Sequence, residues 1–350
     1  MLKRLQIRNF RGFNALKIDQ LSGINLIAGK NNSGKTSLLE AISLLVGAGD
    51  ARLARNVNII RGLELDSRVS PAMIGPLWKQ LFSDLDMERA IEIEGEHTSH
   101  GQLALKITSE RQATPETALD LMEETSALDH FSEHALAFQY IDPSGKRVES
   151  QIRVKGQEFE INQPPTNASL GVIILLSRTR NIRRDATRLG QLRRKKQGSL
   201  LLKALQIVEP RLQNIEENSS SGIPMIWGDI GLSELVPLSA MGEGMTQIAR
   251  LVLAIASVPD GVVLVDEVEN GIHHSVLPDV WRAIDEAAKQ FRTQIFATTH
   301  SFECVEAAHQ ALGPDDFLLH RLEVSDVENR CVTYEPDSID AAIRHNLEVR

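Results

Sequence analysis

The chain has 350 residues, of which 42% are hydrophobic and 24% are charged, and its formal net charge is −9. This composition is typical of a soluble globular protein with enough chain for about two lobes. Its two cysteines exclude a disulfide framework and a metal site with four cysteine ligands. No apolar run approaches the roughly 20 residues of a membrane helix, and the N-terminus lacks a signal-peptide pattern. We therefore expect a cytoplasmic protein that is not bound to a membrane.

The first half of the chain begins with strand patterns. Residues 2–8 alternate apolar and polar side chains, and an apolar run at 24–28 precedes a loop and the helical spacing of residues 37–45. The weaker, more polar pattern from about 51 to 135 predicts a variable insertion. Within and after it the sequence predicts helical stretches near 76–87 and 116–128 and strands at 89–94, 101–108, 135–141 and 151–161.

Strands and helices alternate more regularly in the second half, which predicts an α/β fold with parallel strands in the core. The predicted strands cover residues 171–176, 261–265 and 293–298. The predicted helices cover residues 200–208, 241–257, 275–289 and 304–312. We place a lobe boundary at 163–167, which divides the chain into an N-terminal lobe of residues 1–170 and a C-terminal lobe of residues 171–350.

Residues 29–36 read GKNNSGKT and match the phosphate-loop pattern GxxxxGK[ST] without a mismatch. The preceding strand and following helix are the context that this motif requires, which disfavours a chance glycine turn. Glycines let the backbone approach phosphates, and the helix N-terminus adds positive potential. We therefore predict a site for a nucleoside triphosphate. Its predicted contacts are Gly29, Asn31, Asn32, Ser33, Gly34, Lys35, Thr36 and Ser37, with Lys35 on the β- and γ-phosphates and Thr36 on Mg²⁺.

Two carboxylates, Asp266 and Glu267, end the apolar run at 261–265. Because ligands bind beyond the carboxyl ends of parallel strands, we expect both side chains beside the phosphates. Asp266 is then the predicted Mg²⁺ partner together with Thr36, and Glu267 is the predicted general base for an attacking water. Two surface acids at the end of a strand are the alternative.

The next predicted strand ends in Thr298-Thr299-His300-Ser301. A histidine at this sheet end can hydrogen-bond the γ-phosphate or the attacking water, so His300 and Lys35 join Glu267 as candidate catalytic residues. A purely structural histidine is the alternative.

A second candidate anion site lies in the segment LSAMGEG at 238–244, which opens a predicted helix. Ser239 and the backbone N–H groups at Gly242 and Glu243 are suited to bind phosphate. Because one chain needs only one such loop, the duplication predicts a triphosphate held between two chains. A plain helix cap is the alternative.

These motifs occur in the order found in ABC-type ATPase heads, with Walker A at 29–36 and Walker B at 262–267. The opening LQIRNFRGF resembles that of the SMC, RecF and OLD (overcoming-lysogenisation-defect) ATPases, and DEVENGIH at 266–273 is similar to the DEPENGLH stretch of stand-alone OLD-like ATPases. The resemblance covers residues 1–50 and about 171–310. It implies a bilobed α/β P-loop NTPase of the ABC-ATPase head type, with a mainly parallel core sheet, an antiparallel β subdomain and a helical insertion.

The resemblance also implies that two copies form a homodimer, or a higher oligomer of dimers, around two ATP molecules with Mg²⁺. Each ATP would lie between Lys35 of one copy and Ser239 with Gly242 of the other. Arg11 or Asn9 would approach the nucleotide from the first strand. Glu269 and Asn270 would lie at the dimer seam.

Some features depart from the family pattern. Val268 replaces the usual proline, and Ala240-Met241 replaces a glycine-rich centre, which favours slow ATP turnover. The chain shows neither the heptads of SMC proteins nor the TOPRIM nuclease of full-length OLD proteins.

We therefore expect one ATPase head that regulates a DNA-directed system, such as anti-phage defence, through a separately encoded nuclease or toxin. A RecF-like DNA-repair ATPase and an ATP-stabilised scaffold with negligible hydrolysis are the alternatives.

A basic segment covers residues 178–196, and residues 177–196 hold nine basic side chains and one acidic side chain. Such a strip is typical of a contact with DNA phosphates, while a solvated helix face paired with acids or a partner subunit is the alternative. No aromatic residue interrupts it, so base stacking is not indicated. Arg178 or Arg180 could instead face the nucleotide. The candidate DNA contacts are Arg183, Arg184, Arg188, Arg193, Arg194, Lys195 and Lys196.

Overall fold

The computed structural model describes residues 1–59, 76–112, 133–142, 144–155, 158–163, 170–177, 181–219, 222–314, 316–324, 329–335 and 338–341. The helix predicted at 116–128, most of the lobe boundary predicted at 163–167, and Arg178 and Arg180 lie outside the described residues. Within the described ranges, no helix combines the length and the apolar character needed to cross a bilayer.

An antiparallel sheet of seven strands is built from the first 162 residues, in the order β2-β1-β4-β5-β6-β7-β8. Its strands alternate buried and exposed side chains, as in β1, where Leu5 and Ile7 are buried and Arg4 and Arg8 are exposed. The strands are β1 (Leu2–Phe10), β2 (Phe13–Ile18), β4 (Ile91–His97), β5 (Gly101–Gln112), β6 (Glu133–Ile141), β7 (Arg147–Lys155) and β8 (Glu158–Asn162).

A second sheet has six strands in the order β16-β15-β3-β14-β13-β9. All neighbouring pairs are parallel except β15 with β16. Three central strands are buried along their whole length, which fits their mostly apolar sequences and confirms the predicted parallel core. The strands are β3 (Ile24–Ala28), β9 (Val172–Leu175), β13 (Val262–Val265), β14 (Gln294–Thr298), β15 (Phe317–Val324) and β16 (Asn329–Tyr334).

Helix α1 (Lys35–Val46) packs against strands of both sheets, so its side chains are buried on every face from Ser37 to Val46. The opposite face of the parallel sheet is covered by α5 (Glu243–Ser257), α6 (Leu277–Phe291) and α7 (Phe302–Ala311). Further elements are α2 (Ala51–Ile59), α3 (Ile182–Arg194), α4 (Gly198–Gln206), and a small sheet of β10 (Asn214–Asn218), β11 (Met225–Asp229) and β12 (Val236–Pro237).

Several predicted elements differ from the structure. The helix predicted at 76–87 is α-helical only at 76–79, with a short 3-10 helix at Ser83–Leu85. The single strand predicted at 151–161 is instead two antiparallel strands, β7 and β8, which pair with each other. Helix α3 takes up most of the basic segment. The lobe division at residue 170 stays a prediction, but β3 pairs with β14 and β15, so the phosphate-loop strand belongs to the same sheet as strands from the second half.

Candidate active site

The phosphate loop connects β3 to α1 and requires glycine at both ends. Gly29 has φ +147° and Gly34 has φ +92°, in the region that side chains disfavour. A Cβ atom at Gly29 would lie 2.7 Å from Ser33 Oγ, and one at Gly34 would lie 2.6 Å from the Phe13 ring. The two ends of the loop therefore pack closely, Gly29 against Ser33 of the loop and Gly34 against Phe13 of β2.

Two polar groups in the loop are suited to an incoming phosphate. The Ser33 hydroxyl is buried and has no hydrogen-bond partner among the described residues, which is costly unless a ligand provides one. Lys35 Nζ donates to the carbonyls of Gly29 at 2.7 Å and Lys30 at 3.0 Å. Asn31 and Asn32 are exposed, whereas Ser37 is buried at the start of α1. These groups fit a triphosphate.

Burial lowers the pKa of the Lys35 ammonium, although the nearby carboxylates of Asp266, Glu267 and Glu269 act in the opposite direction. The ammonium is thus held partly away from water by the loop. A phosphate bound in the loop would stabilise the charged form of Lys35, which is the form that binds phosphate.

The Asp266 carboxylate lies between the end of β13 and the start of α1. Its Oδ1 atom accepts hydrogen bonds from Thr298 Oγ1 at 2.8 Å and from Thr36 Oγ1 at 3.3 Å. A carboxylate beside a hydroxyl is an oxygen donor pair that suits Mg²⁺, which usually takes few protein ligands and completes its shell with water and phosphate. The described residues contain no larger cluster of His, Cys, Asp and Glu suited to a metal.

Glu267 follows in a tight turn. Its backbone has φ +52°, a strained value for a residue other than glycine and one that is found preferentially at functional sites. The turn is fixed by its N–H donating to Thr298 Oγ1 at 2.9 Å and its carbonyl accepting from Asn270 at 3.0 Å. Glu267 is half-buried, so its carboxylate is within reach of water beside Asp266.

His300 lies just beyond β14, and its side chain is 57% exposed. Glu269 approaches it closely, because Glu269 Oε1 accepts hydrogen bonds from Thr299 Oγ1 at 2.8 Å and from the His300 backbone N–H at 3.2 Å. His300 Nδ1 lies 3.4 Å from the same oxygen. Sequence reasoning expected Glu269 only at a dimer seam. It missed this contact, because no motif links two residues 31 positions apart.

Arg11 has partners inside the fold. Its Nε donates to the buried Glu40 carboxylate on α1 at 2.9 Å, and a terminal nitrogen donates to the Gln80 carbonyl at 3.2 Å. The Asn9 side chain donates to the Arg89 carbonyl at 2.6 Å. Contact of Arg11 or Asn9 with a nucleotide stays a prediction, and both side chains have a structural role that the sequence did not indicate.

The second candidate anion site opens α5. Gly242 has φ +116° and precedes the helix without a side-chain cap, and Ser239, Gly242 and Glu243 are all exposed. The turn after Glu267 packs against this point, since a Cβ atom at Gly271 would collide with the Glu243 side chain. The signature segment is therefore at the surface and in contact with the segment that follows Walker B.

The basic segment forms α3, which the Asn181 side chain caps by accepting from the Arg184 N–H at 2.9 Å. Ala186, Leu189 and Leu192 are buried at helical spacing and hold the helix on the fold. The exposed basic strip consists of Arg183, Arg184, Arg193, Arg194, Lys195 and Lys196.

Arg188, which was predicted together with those residues, is not part of the exposed strip. Its side chain is 10% exposed and forms an ion pair with Asp185 at 3.3 Å. Burial is the main cause that lowers the pKa of Arg188 and raises that of Asp185. On the neighbouring helix α5, the buried Arg250 donates to the Leu176 carbonyl at 3.2 Å. Arg188 is therefore part of the packing between helices.

Four features together define an ATPase of the ABC type. They are the phosphate loop, the Walker B acid pair and the following histidine, all at one end of a parallel sheet, and the exposed signature helix.

The same fold occurs in solved SMC head domains. An SMC head bound to the C-terminal winged-helix domain of ScpA has a TM-score of 0.51 and 14% identity, with 98% of this chain and 99% of that chain covered. A second SMC head, bound to a ScpA domain derived from Pyrococcus furiosus, also has a TM-score of 0.51.

The chain belongs to the family described as "AAA domain, putative AbiEii toxin, Type IV TA system", whose profile matches residues 24–306. It is 26% identical over 344 residues to an ATP/GTP phosphatase of Helicobacter pylori, covering 91% of this chain and 90% of that protein. It is also 30% identical over 145 residues to the DNA replication and repair protein RecF of Teredinibacter turnerae, covering 41% of this chain and 34% of RecF. The chain is thus an ABC-type ATPase that is related to RecF and has the fold of SMC head domains, which confirms the predicted class.

Proposed function

We propose that the chain hydrolyses ATP at a site that two copies complete together. The exposed start of α5 carries this proposal. Ser239, Gly242 and Glu243 are accessible there, and a helix of 15 residues directs positive potential to that point. One chain already has a complete phosphate loop for one triphosphate. A second anion site at the surface therefore suits the triphosphate held by another copy.

Within this site the residues have distinct tasks. The loop N–H groups, the Ser33 hydroxyl and Lys35 bind the phosphates, and Thr36 with Asp266 holds Mg²⁺. The ion, when bound, neutralises charge that develops on the phosphate oxygens. Glu267 orients the attacking water and accepts its proton, and His300 hydrogen-bonds the γ-phosphate or that water. Arg11 supports α1 through Glu40.

For the biological role, we propose a cytoplasmic regulatory subunit of a DNA-directed system with a separately encoded nuclease or toxin effector, as in anti-phage defence. The family description names a toxin of a toxin–antitoxin system, and the RecF relative is named for DNA replication and repair. The exposed basic strip of α3 supports contact with DNA phosphates. A RecF-like repair ATPase is the second candidate, favoured by the same strip and the same relative.

Two inactive variants test whether the site is shared between copies. Lys35→Ala removes the loop ammonium and Ser239→Arg blocks the signature, so each variant alone is expected to release phosphate about 100-fold more slowly. A mixed dimer contains one complete site, because one copy supplies the intact loop and the other supplies the intact Ser239. An equal mixture should therefore recover about a quarter of the wild-type rate.

The control mixture combines Ser239→Arg with the double variant Lys35→Ala/Ser239→Arg, in which no complete site forms, so its rate should stay at the background. If the two single variants form mixed dimers and still show no recovery, the shared site is wrong. If the wild type binds ATP and Mg²⁺ but releases no phosphate, the chain is an ATP-stabilised scaffold.

A further inference from the structure

Glu269 makes contacts that a residue of the dimer seam would not need. Its side chain is only 11% exposed, and one carboxylate oxygen, Oε1, is approached by Thr299 Oγ1, the His300 N–H and His300 Nδ1. The other oxygen, Oε2, is buried without a hydrogen-bond partner among the described residues. Within the described part of the chain, Oε1 thus accepts hydrogen bonds from residues 299 and 300, and Oε2 has accepting capacity that is not used.

The backbone holds this carboxylate in place. Glu269 lies in a double turn in which Asn270 donates to the Glu267 carbonyl at 3.0 Å and Ile272 donates to the Glu269 carbonyl at 2.9 Å. Val268 donates to the Thr298 carbonyl at 3.1 Å, which ties the turn to the end of β14. The carboxylate and His300 are therefore fixed on adjoining segments, although the sequence separates them by 31 residues.

A neutral imidazole carries its proton on only one of its two nitrogens, and the partner of one nitrogen decides what the other can do. An acceptor beside Nδ1 favours the tautomer in which Nδ1 is protonated. That tautomer leaves Nε2 as an acceptor, on a side chain that is 57% exposed. His300 Nδ1 lies 3.4 Å from Glu269 Oε1, so the carboxylate is the acceptor beside this nitrogen.

We propose that Glu269 is a positioning residue for His300. Its carboxylate fixes the ring orientation and keeps the proton on Nδ1, so that Nε2 is available to accept a hydrogen bond from the attacking water. The functional consequence rests on the proposed role of His300 in ATP hydrolysis. The tautomer itself can be measured without any turnover, so the two ideas can fail separately.

The first test is the tautomer of His300 in the full chain, from the ring ¹⁵N shifts of ¹⁵N-histidine-labelled protein without nucleotide. At about pH 8.5 an ordinary imidazole is neutral, and the His300→Gln spectrum identifies the signal. We expect the Nδ1–H form in the wild type and a shift toward the Nε2–H form in Glu269→Met, which has no acceptor. A wild-type ring in the Nε2–H form, or a Glu269→Met spectrum unchanged at His300, overturns the proposal.

The second test is steady-state hydrolysis. Glu269→Gln keeps an acceptor oxygen and should stay within about threefold of the wild-type kcat, whereas Glu269→Met should lower kcat by about tenfold or more with little change in KM. Glu306→Met removes an exposed carboxylate on α7 and is the matched control. Equal kcat values for Glu269→Met and the control contradict the proposal.

A folding defect is monitored by the thermal midpoint of each variant. If Glu269→Met does not fold, Glu269→Asp replaces it in both tests, because the shorter side chain keeps the charge and withdraws the oxygen from His300. The aspartate variant is then expected to show the tautomer shift and the lower kcat, and wild-type values for both would overturn the proposal. A wild type without hydrolysis refutes the proposed function alone, since the ring spectra still decide the contact.

Discussion

Glu267 occupies the strained turn at the end of β13, where a carboxylate is half-buried beside Asp266. Glu267→Gln preserves the shape of the side chain and removes its basicity. We expect phosphate release to fall by about 100-fold or more while ATP binding is retained, because only the proton acceptor is lost. Release of radiolabelled phosphate and ATP binding by calorimetry check the two halves of the prediction.

Glu267→Gln should also accumulate as a dimer with ATP and Mg²⁺, because the bound ATP is no longer hydrolysed. Light scattering can detect this dimer. The matched control is Glu306→Gln, an amide in place of an exposed carboxylate on α7 outside the site, which should keep the capacity to release phosphate. Wild-type release by Glu267→Gln would mean that another group accepts the proton.

His320 provides a pH-dependent term in stability. It is fully buried on β15, with Nδ1 3.1 Å from Thr333 Oγ1 and Nε2 3.2 Å from Asn25 Oδ1. Burial lowers the pKa of His320 to about 4, from an ordinary value of 6.5. Between these values the unfolded chain binds a proton that the folded chain does not. The free energy of unfolding should therefore fall as the pH falls from about 6.5 to about 4, by up to about 3 kcal/mol.

Denaturant titrations at several pH values measure this effect. Carboxylates also titrate in this range, so the relevant quantity is the difference in slope between the wild type and His320→Gln, which should lose the histidine contribution. His274→Gln, at an exposed position, is the control and should keep the wild-type slope. Equal slopes for the wild type and His320→Gln would show that His320 is protonated in the folded state.

The residues that sequence could assign are those whose partners are close along the chain. The phosphate loop carries its own strand, glycines and helix within about 25 residues, and Walker B carries its acids at the end of its own strand. Glu269 and Arg11 could not be assigned in this way. Their partners, His300 and Glu40, are brought to them only by the packing of β14 and α1.

At the level of elements, α1 connects the phosphate loop to the whole core. Most helices of a globular protein have one polar face, but α1 is enclosed by both sheets and is apolar or small along nearly all of its buried length. Glu40 is the charged exception, and its side chain is fully buried. A buried carboxylate requires a partner, and the Arg11 guanidinium is that partner.

Removing one member of this pair should destabilise the protein strongly. Arg11→Met leaves a buried charge on Glu40 and should cost about 3–5 kcal/mol in the free energy of unfolding, whereas Arg11→Met/Glu40→Leu should recover most of that loss. Arg8→Met breaks the exposed pair between Arg8 on β1 and Glu92 on β4 and should cost less than about 1 kcal/mol. Urea unfolding measures all three variants. A double variant as unstable as Arg11→Met would mean that Arg11 acts through its other contacts.

The basic segment shows why an element can be missed. Residues 182–194 carry many charges, which hide the spacing of Ala186, Leu189 and Leu192, although Asn181 is a good N-cap. Reading that spacing would have predicted α3. β10–β12 and β15–β16 were harder to predict, because short strands are specified by pairing with neighbours that lie elsewhere in the sequence.

At the level of the whole molecule, the charge is unevenly distributed. The net charge is −9, yet the strip formed by Arg183, Arg184 and residues 193–196 is basic and exposed. Acidic surface elsewhere repels DNA and should restrict binding to this strip. The overall acidity is thus compatible with DNA binding at one place on the surface.

DNA binding through this strip predicts a particular dependence on salt. Each phosphate contact adds about 0.9 to the slope of log K against log salt concentration, so replacing Arg193, Arg194, Lys195 and Lys196 by glutamine should lower the slope by up to about 4. Affinity for duplex DNA should fall along with the slope. Fluorescence anisotropy with a labelled duplex between about 50 and 200 mM salt covers the informative range.

The control must separate a local contact from the effect of net charge. The control variant loses four exposed cations from the antiparallel sheet and its turns, as many as the strip variant loses. In it, glutamine replaces Lys3, Arg4, Lys17 and Lys146. If the strip is the contact, this variant keeps nearly the wild-type slope, because distant charges are screened beyond about 10 Å. If both variants lose affinity and slope equally, the interaction is non-local, and the basic strip serves the fold or a partner subunit instead of DNA.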